Sequence, residues 1–227
     1  MLFRSDSRVA AGLRYRNLMV REAARLKTKK AGLSREVGAE YDKDRLHGER
    51  YFQALLGSLD DTPDSVVELL ELTHSGMRVF EANRKRLVNA LVDHPTLAAR
   101  VKRLMTVPGV GQVTALTWAL EIGDPTRFSS VKKAQSYCGL CGAQNESAGK
   151  SKRGPLSKQR NKHLQTMLVE ASKLAPRYNP LLAEAYEKAK AKGANHNRAT
   201  LAVARKMVAY LMCVDKTGRP FVTGNEN

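Results

Sequence analysis

The stretch "LAARVKRLMTVPGVGQVTALTWALEIGDP", residues 97–125, is the part of the sequence from which the fold is inferred most directly. A Pro-Gly-Val-Gly run interrupts it near its middle, and a Gly-Asp-Pro run ends it. Proline and glycine mark turns between regular segments. The stretch therefore predicts a helix, a tight turn and a second helix.

The rest of the chain has the same helical character. Alternating β-branched and aromatic residues, which are typical of strands, are absent over any useful length, and neither Asn-Gly nor Asp-Gly occurs. The sequence predicts an all-α fold in which a helical connector or coiled coil precedes a compact helical domain. The expected divisions are a charged helix and connector in 1–60, a coiled-coil-like helix in 61–96, and a C-terminal domain in 97–222 with a helix-hairpin-helix-like turn in 104–120 and a basic serine loop in 142–157.

The segment after Pro63 carries a regular apolar seam. Residues on it alternate in spacings of four and three, and they are Val66, Leu70, Thr73, Met77, Phe80, Arg84, Leu87 and Leu91. This spacing is typical of a coiled coil or a helical hairpin. A helix packed against its own domain would show the same seam, so both interpretations stay open.

Composition indicates the class of partner. The 227-residue chain has 39 Lys and Arg against 22 Asp and Glu, for a net charge of +17. Such an excess favours a polyanion. No apolar run approaches the roughly 18 residues of a membrane span, and the N-terminus lacks the apolar core of a signal peptide. Three cysteines do not make a disulfide framework. We therefore expect a nucleic-acid partner, no membrane, and a cytoplasmic, nucleoid-associated location.

The "VPGVG" run, residues 107–111, could bind phosphate. Gly109 and Gly111 allow a sharp turn and leave backbone N–H groups uncovered where the second helix begins. Those donors and the helix dipole suit a phosphate oxygen, as in a helix-hairpin-helix. The alternative is a plain tight turn between packed helices.

A second candidate site is the basic stretch "NESAGKSKRGPLSKQRNKH", residues 145–163. It contains six basic residues and one acid. We expect Ser157 to cap the next helix, whose first turn would then hold cations that the helix dipole disfavours. A bound phosphate would compensate for them. The expected nucleic-acid contacts are Lys150, Lys152, Arg153, Ser157, Lys158, Arg160 and Lys162.

A serine in this stretch could be a nucleophile. Attack on a phosphodiester spreads charge over the phosphoryl oxygens, and clustered cations would stabilise that charge. The residues alone do not distinguish Ser147, Ser151 and Ser157. The plainer alternative is that all three are solvated loop serines.

Other polar residues have simpler explanations. Cys138 and Cys141 form a single C-x-x-C pair, for which His163 could be a third ligand but no fourth is evident. Buried thiols explain the pair better than a metal does, and we expect no metal site in this chain. Four further histidines lie in polar surroundings and are expected at the surface, namely His47, His74, His94 and His196.

Three stretches together resemble one protein family. They are "MTVPGVGQVTALTWALEIGDPTRF" (105–128), "SYCGLCGAQNESAGKSKRGPLSKQRNKHLQ" (136–165) and "NRATLAVARKMVAYL" (197–211). They look like the C-terminal half of the transposases of the insertion-sequence-110/116/902 family, the bridge-RNA-guided DNA recombinases. The resemblance is close over 97–222 and looser from about Leu13 to Leu91.

The resemblance implies a mechanism. Members of the family pair an N-terminal RNase H-like domain, with an acidic tetrad and Mg²⁺, with a C-terminal domain whose serine attacks DNA and forms a covalent phosphoserine link. By this resemblance the nucleophile is Ser147, and the basic residues around it hold the DNA strand. It also implies a guide RNA partner and homo-oligomers joined through the coiled coil.

The first 60 residues depart from the family pattern. They contain no apolar strand run that ends in Asp and no later acidic motif of the RNase H-like domain. We therefore expect a truncated transposase or a fragment of a split gene that is inactive alone. It would have no cofactor of its own, with Mg²⁺ expected only in the missing domain. The alternatives are a non-catalytic module that binds DNA or RNA and a structural helical adaptor.

Overall fold

The computed structural model describes residues 3–59, 62–147, 150–156 and 160–222, and for 3–10, 143–147 and 150–156 it describes the backbone alone. Helices dominate, so the all-α prediction is confirmed. In chain order the elements are α1 (Phe3–Glu36), α2 (Glu49–Leu56), α3 (Asp64–Val92), α4 (Ala98–Leu104), α5 (Gln112–Ile122), α6 (Val131–Tyr137), β1 (Gly142–Ser147), β2 (Lys150–Leu156), α7 (Lys162–Leu174), α8 (Pro180–Ala191) and α9 (His196–Thr217).

The chain forms two compact units, one spanning Ala11–Ala90 and one built mainly from the residues after it, from Leu91 onward. No helix within the described ranges is long and apolar enough to cross a membrane. The domain boundaries inferred from sequence stay predictions.

The first unit buries the predicted seam of α3 within its own chain. Leu70 packs with Leu33 of α1 and Phe52 of α2, and Thr73 and Met77 are buried one and two turns further on. These residues lie on one face of α3 because their spacing follows the helical repeat. The seam therefore belongs, over these residues, to the packing of α3 inside its unit.

One prediction in this unit is wrong: His74 is buried rather than exposed. It lies one turn after Leu70, so it falls on the buried face of α3. Its ring stacks on Phe52 with centroids 4.1 Å apart. Its two nitrogens contact the Lys30 ammonium at 2.7 Å and the Glu49 carboxylate at 3.1 Å. These contacts satisfy a polar ring that would otherwise be costly to bury.

The core of the second unit surrounds α9. Helices α4, α6, α7 and α8 all pack against α9, and its apolar face is buried at the helical spacing that the sequence shows. The Asp215 carboxylate lies inside this core, where it accepts bonds from Arg100 at 2.7 and 2.6 Å and from the Trp118 indole at 2.8 Å. A buried charge with a bidentate arginine partner fixes the helices that carry it.

The expected basic loop contains a β-hairpin. β1 and β2 pair antiparallel, with Asn145 opposite Lys152, Glu146 opposite Ser151 and Ser147 opposite Lys150. The sequence gives no strand signal here because its residues have low β propensity. Backbone hydrogen bonds hold the ladder, however, and they do not depend on apolar side chains. The segment predicted as a basic serine loop, 142–157, therefore contains two strands, Gly142–Ser147 and Lys150–Leu156.

Candidate nucleic-acid interface

The turn between α4 and α5 places its two glycines in different environments. Gly109 has a φ of +88°. A Cβ on it would lie 2.8 Å from the Ala175 Cβ, so Gly109 is the point where the turn packs against the end of α7. Only glycine fits both the left-handed backbone and the close approach.

Gly111 is open instead. It is the exposed N-cap of α5, in extended conformation with φ −88° and ψ 175°. Apart from Gly111 itself and its two chain neighbours, no atom in the described part of the chain lies within 4 Å of where its Cβ would be. It has no side chain to cap the helix, and the first turn of α5 has no acidic residue. This N-terminus can therefore approach an anion closely.

The hairpin register groups the candidate residues of the basic segment by position. Successive strand residues alternate between the two faces, and opposed residues share a face. Positions 145, 147, 150 and 152 thus belong to one face, and positions 146, 151 and 153 to the other. The nucleophile position of the resemblance, Ser147, shares its face with Lys150 and Lys152. The competing Ser151 shares its face with Glu146 and Arg153.

Several predicted contacts lie beyond what the structure describes. Ser157 and Lys158 are outside the described residues, as is the connection between the strands. The side chains of Ser147, Lys150, Lys152 and Arg153 are likewise outside them, although their backbones form the hairpin.

The helix after the hairpin begins later than expected. α7 starts at Lys162, and the cap is Asn161, whose side chain accepts a bond from the Leu164 N–H at 3.0 Å. Ser157 is therefore not the cap, because it precedes the first helical residue by five positions. Lys162 and His163 are exposed in the first turn, which has no acidic residue. Lys162 therefore places a positive charge in the first turn of α7, where the helix dipole disfavours it.

Asn161 also fastens the end of the hairpin segment to the body of the unit. Its backbone N–H donates to the Tyr137 carbonyl at 3.0 Å. Its side-chain amide donates to the Glu121 carboxylate at 2.6 Å. No local pattern in the sequence predicts this role of Glu121, because the two residues in contact lie 40 positions apart.

The remaining predicted base, Arg160, is half-buried and packs beside Gly139. Its Cβ and Cδ lie 2.6 Å from where a Cβ of Gly139 would be, and Gly139 has a φ of +71°. The stem of Arg160 thus belongs to the base of the hairpin segment, whereas Lys162 is exposed.

The Cys138 thiol is buried, as expected, and burial raises its pKa to about 12. A thiol that stays protonated is a poor metal ligand. Cys141 is partly exposed, and His163 is exposed. Within the described ranges no three His, Cys, Asp or Glu side chains group closely enough to hold a metal ion.

Part of the chain matches the model of a known family, and several curated proteins are similar to the chain. Residues 101–187 match the model of the Transposase IS116/IS110/IS902 family. The chain is 27% identical over 169 residues to a probable family 20 transposase of Pseudomonas aeruginosa, covering 72% of this chain and 49% of that protein. It is 30% identical over 118 residues to the transposase for insertion sequence element IS1328 of Yersinia enterocolitica, covering 50% of this chain and 34% of that protein.

A third relative is the pilin gene-inverting protein of Moraxella bovis, 28% identical over 130 residues, covering 56% of this chain and 40% of that protein. The chain thus spans about half or less of the length of the curated relatives it matches.

Proposed function

Residues 101–187 carry a domain of the Transposase IS116/IS110/IS902 family, and from this premise we propose that the chain holds a DNA strand and attacks it with Ser147. The observation that carries the proposal is the hairpin register. It assigns Ser147 to the same face as Lys150 and Lys152, in a segment with six basic residues and one acid. The face of Ser151 includes the only acid of the segment.

The proposed step exchanges one phosphodiester for another. The Ser147 oxygen forms a bond to phosphorus, and the bond from phosphorus to one sugar oxygen breaks. The serine proton leaves its hydroxyl, and the departing sugar oxygen ends as a hydroxyl. Negative charge increases on the phosphoryl oxygens in the transition state, and the ammonium groups of Lys150 and Lys152 would stabilise it. The number of phosphate ester bonds is conserved, so the linkage stays available for rejoining.

The second proposed contact with DNA is the N-terminus of α5. Its open glycine cap and acid-free first turn suit a backbone phosphate. This contact reads no bases, because it engages only the phosphate. Lys162 and His163, exposed at the start of α7, would add a third point of backbone contact.

Other partners follow from the family resemblance. The proposed assembly is a homo-oligomer that also binds a guide RNA. We propose that it acts at the nucleoid. The resemblance assigns Mg²⁺ to an acidic domain, and none of the described residues of this chain is proposed as a ligand. The coarser conclusion, a domain of the insertion-sequence transposase family, does not depend on these partners.

The test is a covalent adduct assay. The chain is combined with the acidic domain of the same element and labelled DNA that carries an element end, and DNA-linked protein is counted after denaturation. Ser147→Ala should abolish the adduct while the Kd for DNA changes by less than about twofold, because one neutral hydroxyl contributes little to charge-driven affinity.

Ser151→Ala is the matched control, from the opposite face of the same hairpin, and should keep the adduct. Persistence of the adduct in Ser147→Ala would assign the nucleophile to another residue. DNA binding without an adduct in the unaltered protein would support the alternative, a non-catalytic binding module.

A further inference from the structure

The base of the hairpin is bonded to other helices, whereas the two strands pack mainly against each other. The extensive packing of β1 among the described elements is with β2, and that of β2 is with β1. An isolated two-stranded ladder is marginally stable and has no fixed direction of its own. The direction in which the hairpin leaves the domain must therefore be set where it is attached.

The chain that leads into β1 is attached through two backbone carbonyl groups. Each of them accepts a hydrogen bond from a side chain of another helix. The Gln165 side chain of α7 donates to the Gly139 carbonyl at 2.6 Å. The Arg205 Nε of α9 donates to the Leu140 carbonyl at 2.8 Å. Both carbonyls belong to buried residues just before β1, so each bond fixes a backbone group that has no easy access to water.

Arg205 is itself held in place. Its own backbone carbonyl accepts a bond from the Gln135 side chain of α6 at 2.9 Å. Helices α6, α7 and α9 are thus joined around two consecutive residues of the outgoing chain. The returning chain is fastened separately, through the bond from the Asn161 N–H to the Tyr137 carbonyl.

We propose that Gln165 and Arg205 are positioning residues, which aim the hairpin so that Ser147 meets the scissile phosphate. The inference rests on the proposed function for its consequence, but the aiming itself is a property of the fold. Neither side chain would touch DNA for this purpose. Gln165 acts through the backbone of Gly139, and Arg205 acts through the backbone of Leu140.

The length of the hairpin amplifies small errors at its base. β1 runs from Gly142 to Ser147, a span of about 17 Å at roughly 3.3 Å per residue. A change of about 10° in its direction would displace Ser147 by about 3 Å at that span. Misplacement of reacting groups by about 1 Å can slow a reaction about 100-fold. Loss of one hydrogen bond at the base can thus slow attack without unfolding the domain.

The test measures direction independently of catalysis. The full chain with Cys141→Ser and Ser147→Cys is spin-labelled at residue 147 and at the exposed native Cys213, since the Cys138 thiol is buried and burial raises its pKa to about 12. Pulsed electron resonance gives the distribution of distances between the two labels. Gln165→Met keeps the volume of the side chain but removes the donor to Gly139, so the distribution should broaden or shift.

Thr166→Met is the control, an exposed neighbour on α7, and should leave the distribution unchanged. Arg205→Lys keeps the charge but loses the Nε donor, and it serves as the second variant should Gln165→Met fail to fold. With Ser147 restored, Gln165→Met should form the covalent adduct at least about tenfold more slowly, with the Kd for DNA unchanged within about twofold.

An unchanged distance distribution in both folded variants would overturn the inference. A changed distribution with an unchanged rate of adduct formation would also overturn it, because direction would then not matter to attack. Failure of the proposed chemistry is a separate result: the unaltered protein would form no adduct at Ser147, whatever the labels report.

Discussion

Gly109 and Gly111 lie two positions apart in one turn, yet only one of them requires glycine for folding. Gly109 combines a positive φ with contact to Ala175, whereas Gly111 has an ordinary backbone and open space around it. The sequence predicted both as phosphate contacts. The geometry assigns Gly109 to the packing of the turn, and it leaves Gly111 as the candidate for phosphate.

We expect Gly109→Ala to lower the free energy of unfolding by about 2 kcal/mol or more, because the added Cβ is strained by its φ and collides with Ala175. Gly111→Ala should lower it by about 0.5 kcal/mol, since alanine is merely a poorer N-cap than glycine. Denaturant unfolding of the two variants measures both. Equal losses would show that the turn does not pack as described.

Lys30 is the most unusual charged residue of the first unit. It is buried, and its ammonium contacts the Leu46 carbonyl at 2.9 Å, the His74 ring at 2.7 Å and the face of Phe52. Burial, and secondarily the charge of Lys27, lower its pKa from 10.5 to about 8, although Glu49 and Glu81 oppose the shift. Burial also lowers the pKa of His74.

A lowered lysine pKa makes stability depend on pH in a defined direction. Between pH 8 and 10.5 the unfolded chain keeps the Lys30 proton that the folded chain has lost, so the free energy of unfolding rises with pH in that window. The unfolding free energy of the unaltered protein should therefore increase relative to Lys30→Met by on the order of 2 kcal/mol across the window. The difference is measured by denaturant titration at several pH values.

Lys29→Met is the control, since it removes an exposed lysine from the adjacent position of α1. The difference between this variant and the unaltered protein should stay nearly constant with pH. A constant difference for Lys30→Met as well would contradict the account of a buried ammonium.

At the scale of the element, α3 carries a second apolar stripe beside the buried seam. Leu69, Leu72 and Val79 are 49%, 60% and 57% exposed. Their spacings of three and then seven residues fit seam positions of a coiled coil, with one seam position skipped between Leu72 and Val79. We propose that a second copy of this chain covers the stripe, as the family resemblance implies for the connector.

The change Leu72→Glu with Val79→Glu should therefore reduce the apparent molecular mass at a given concentration, because two charges would face a desolvated seam. Light scattering after size-exclusion chromatography measures it. Lys85→Glu is the control, since Lys85 is exposed elsewhere on α3 and reversing its charge changes the net charge by the same amount. An assembly that the double variant leaves intact would place the interface elsewhere.

Sequence reasoning succeeded where the signal was local. The Pro-Gly and Gly-Asp-Pro runs within residues 97–125 predicted a helix, a turn and a second helix, and the structure contains α4 and α5 there. Sequence reasoning failed where contacts between residues far apart in the sequence determine the local structure. The cap of α7 is Asn161 rather than Ser157, and Asn161 is fixed in part by Glu121, 40 positions away.

The candidate site shows the same difference between local signals and contacts that span many residues. The sequence predicts the basic segment and, through resemblance, Ser147 as site residues, and both stay predictions. It missed Gln165 and Arg205 at the hairpin base, because bonds spanning 26 and 65 positions leave no periodic trace. The hairpin was missed for another reason: its residues are poor strand formers, and backbone pairing alone defines it.

At the scale of the whole molecule, the net charge of +17 predicts binding that salt weakens strongly. Each phosphate contact adds about 0.9 to the negative slope of log K against log salt concentration. Replacing Lys150, Lys152 and Arg153 with alanine should therefore reduce that slope by about 2 to 3. Fluorescence anisotropy over a salt series provides the measurement.

The control replaces three exposed lysines in and just after α8, Lys188, Lys190 and Lys192, with alanine. It removes the same total charge from outside the hairpin. If both triple variants lose the same slope, the hairpin is not a special contact and charge alone drives binding.

The most direct test of the central claim is to locate the bond between protein and DNA. After adduct formation, nucleases trim the DNA to a single nucleotide, and tandem mass spectrometry reads the modified peptide. The account predicts a phosphodiester on the Ser147 hydroxyl and an unmodified Ser151. A nucleotide attached to any other residue, with Ser147 free, would contradict it.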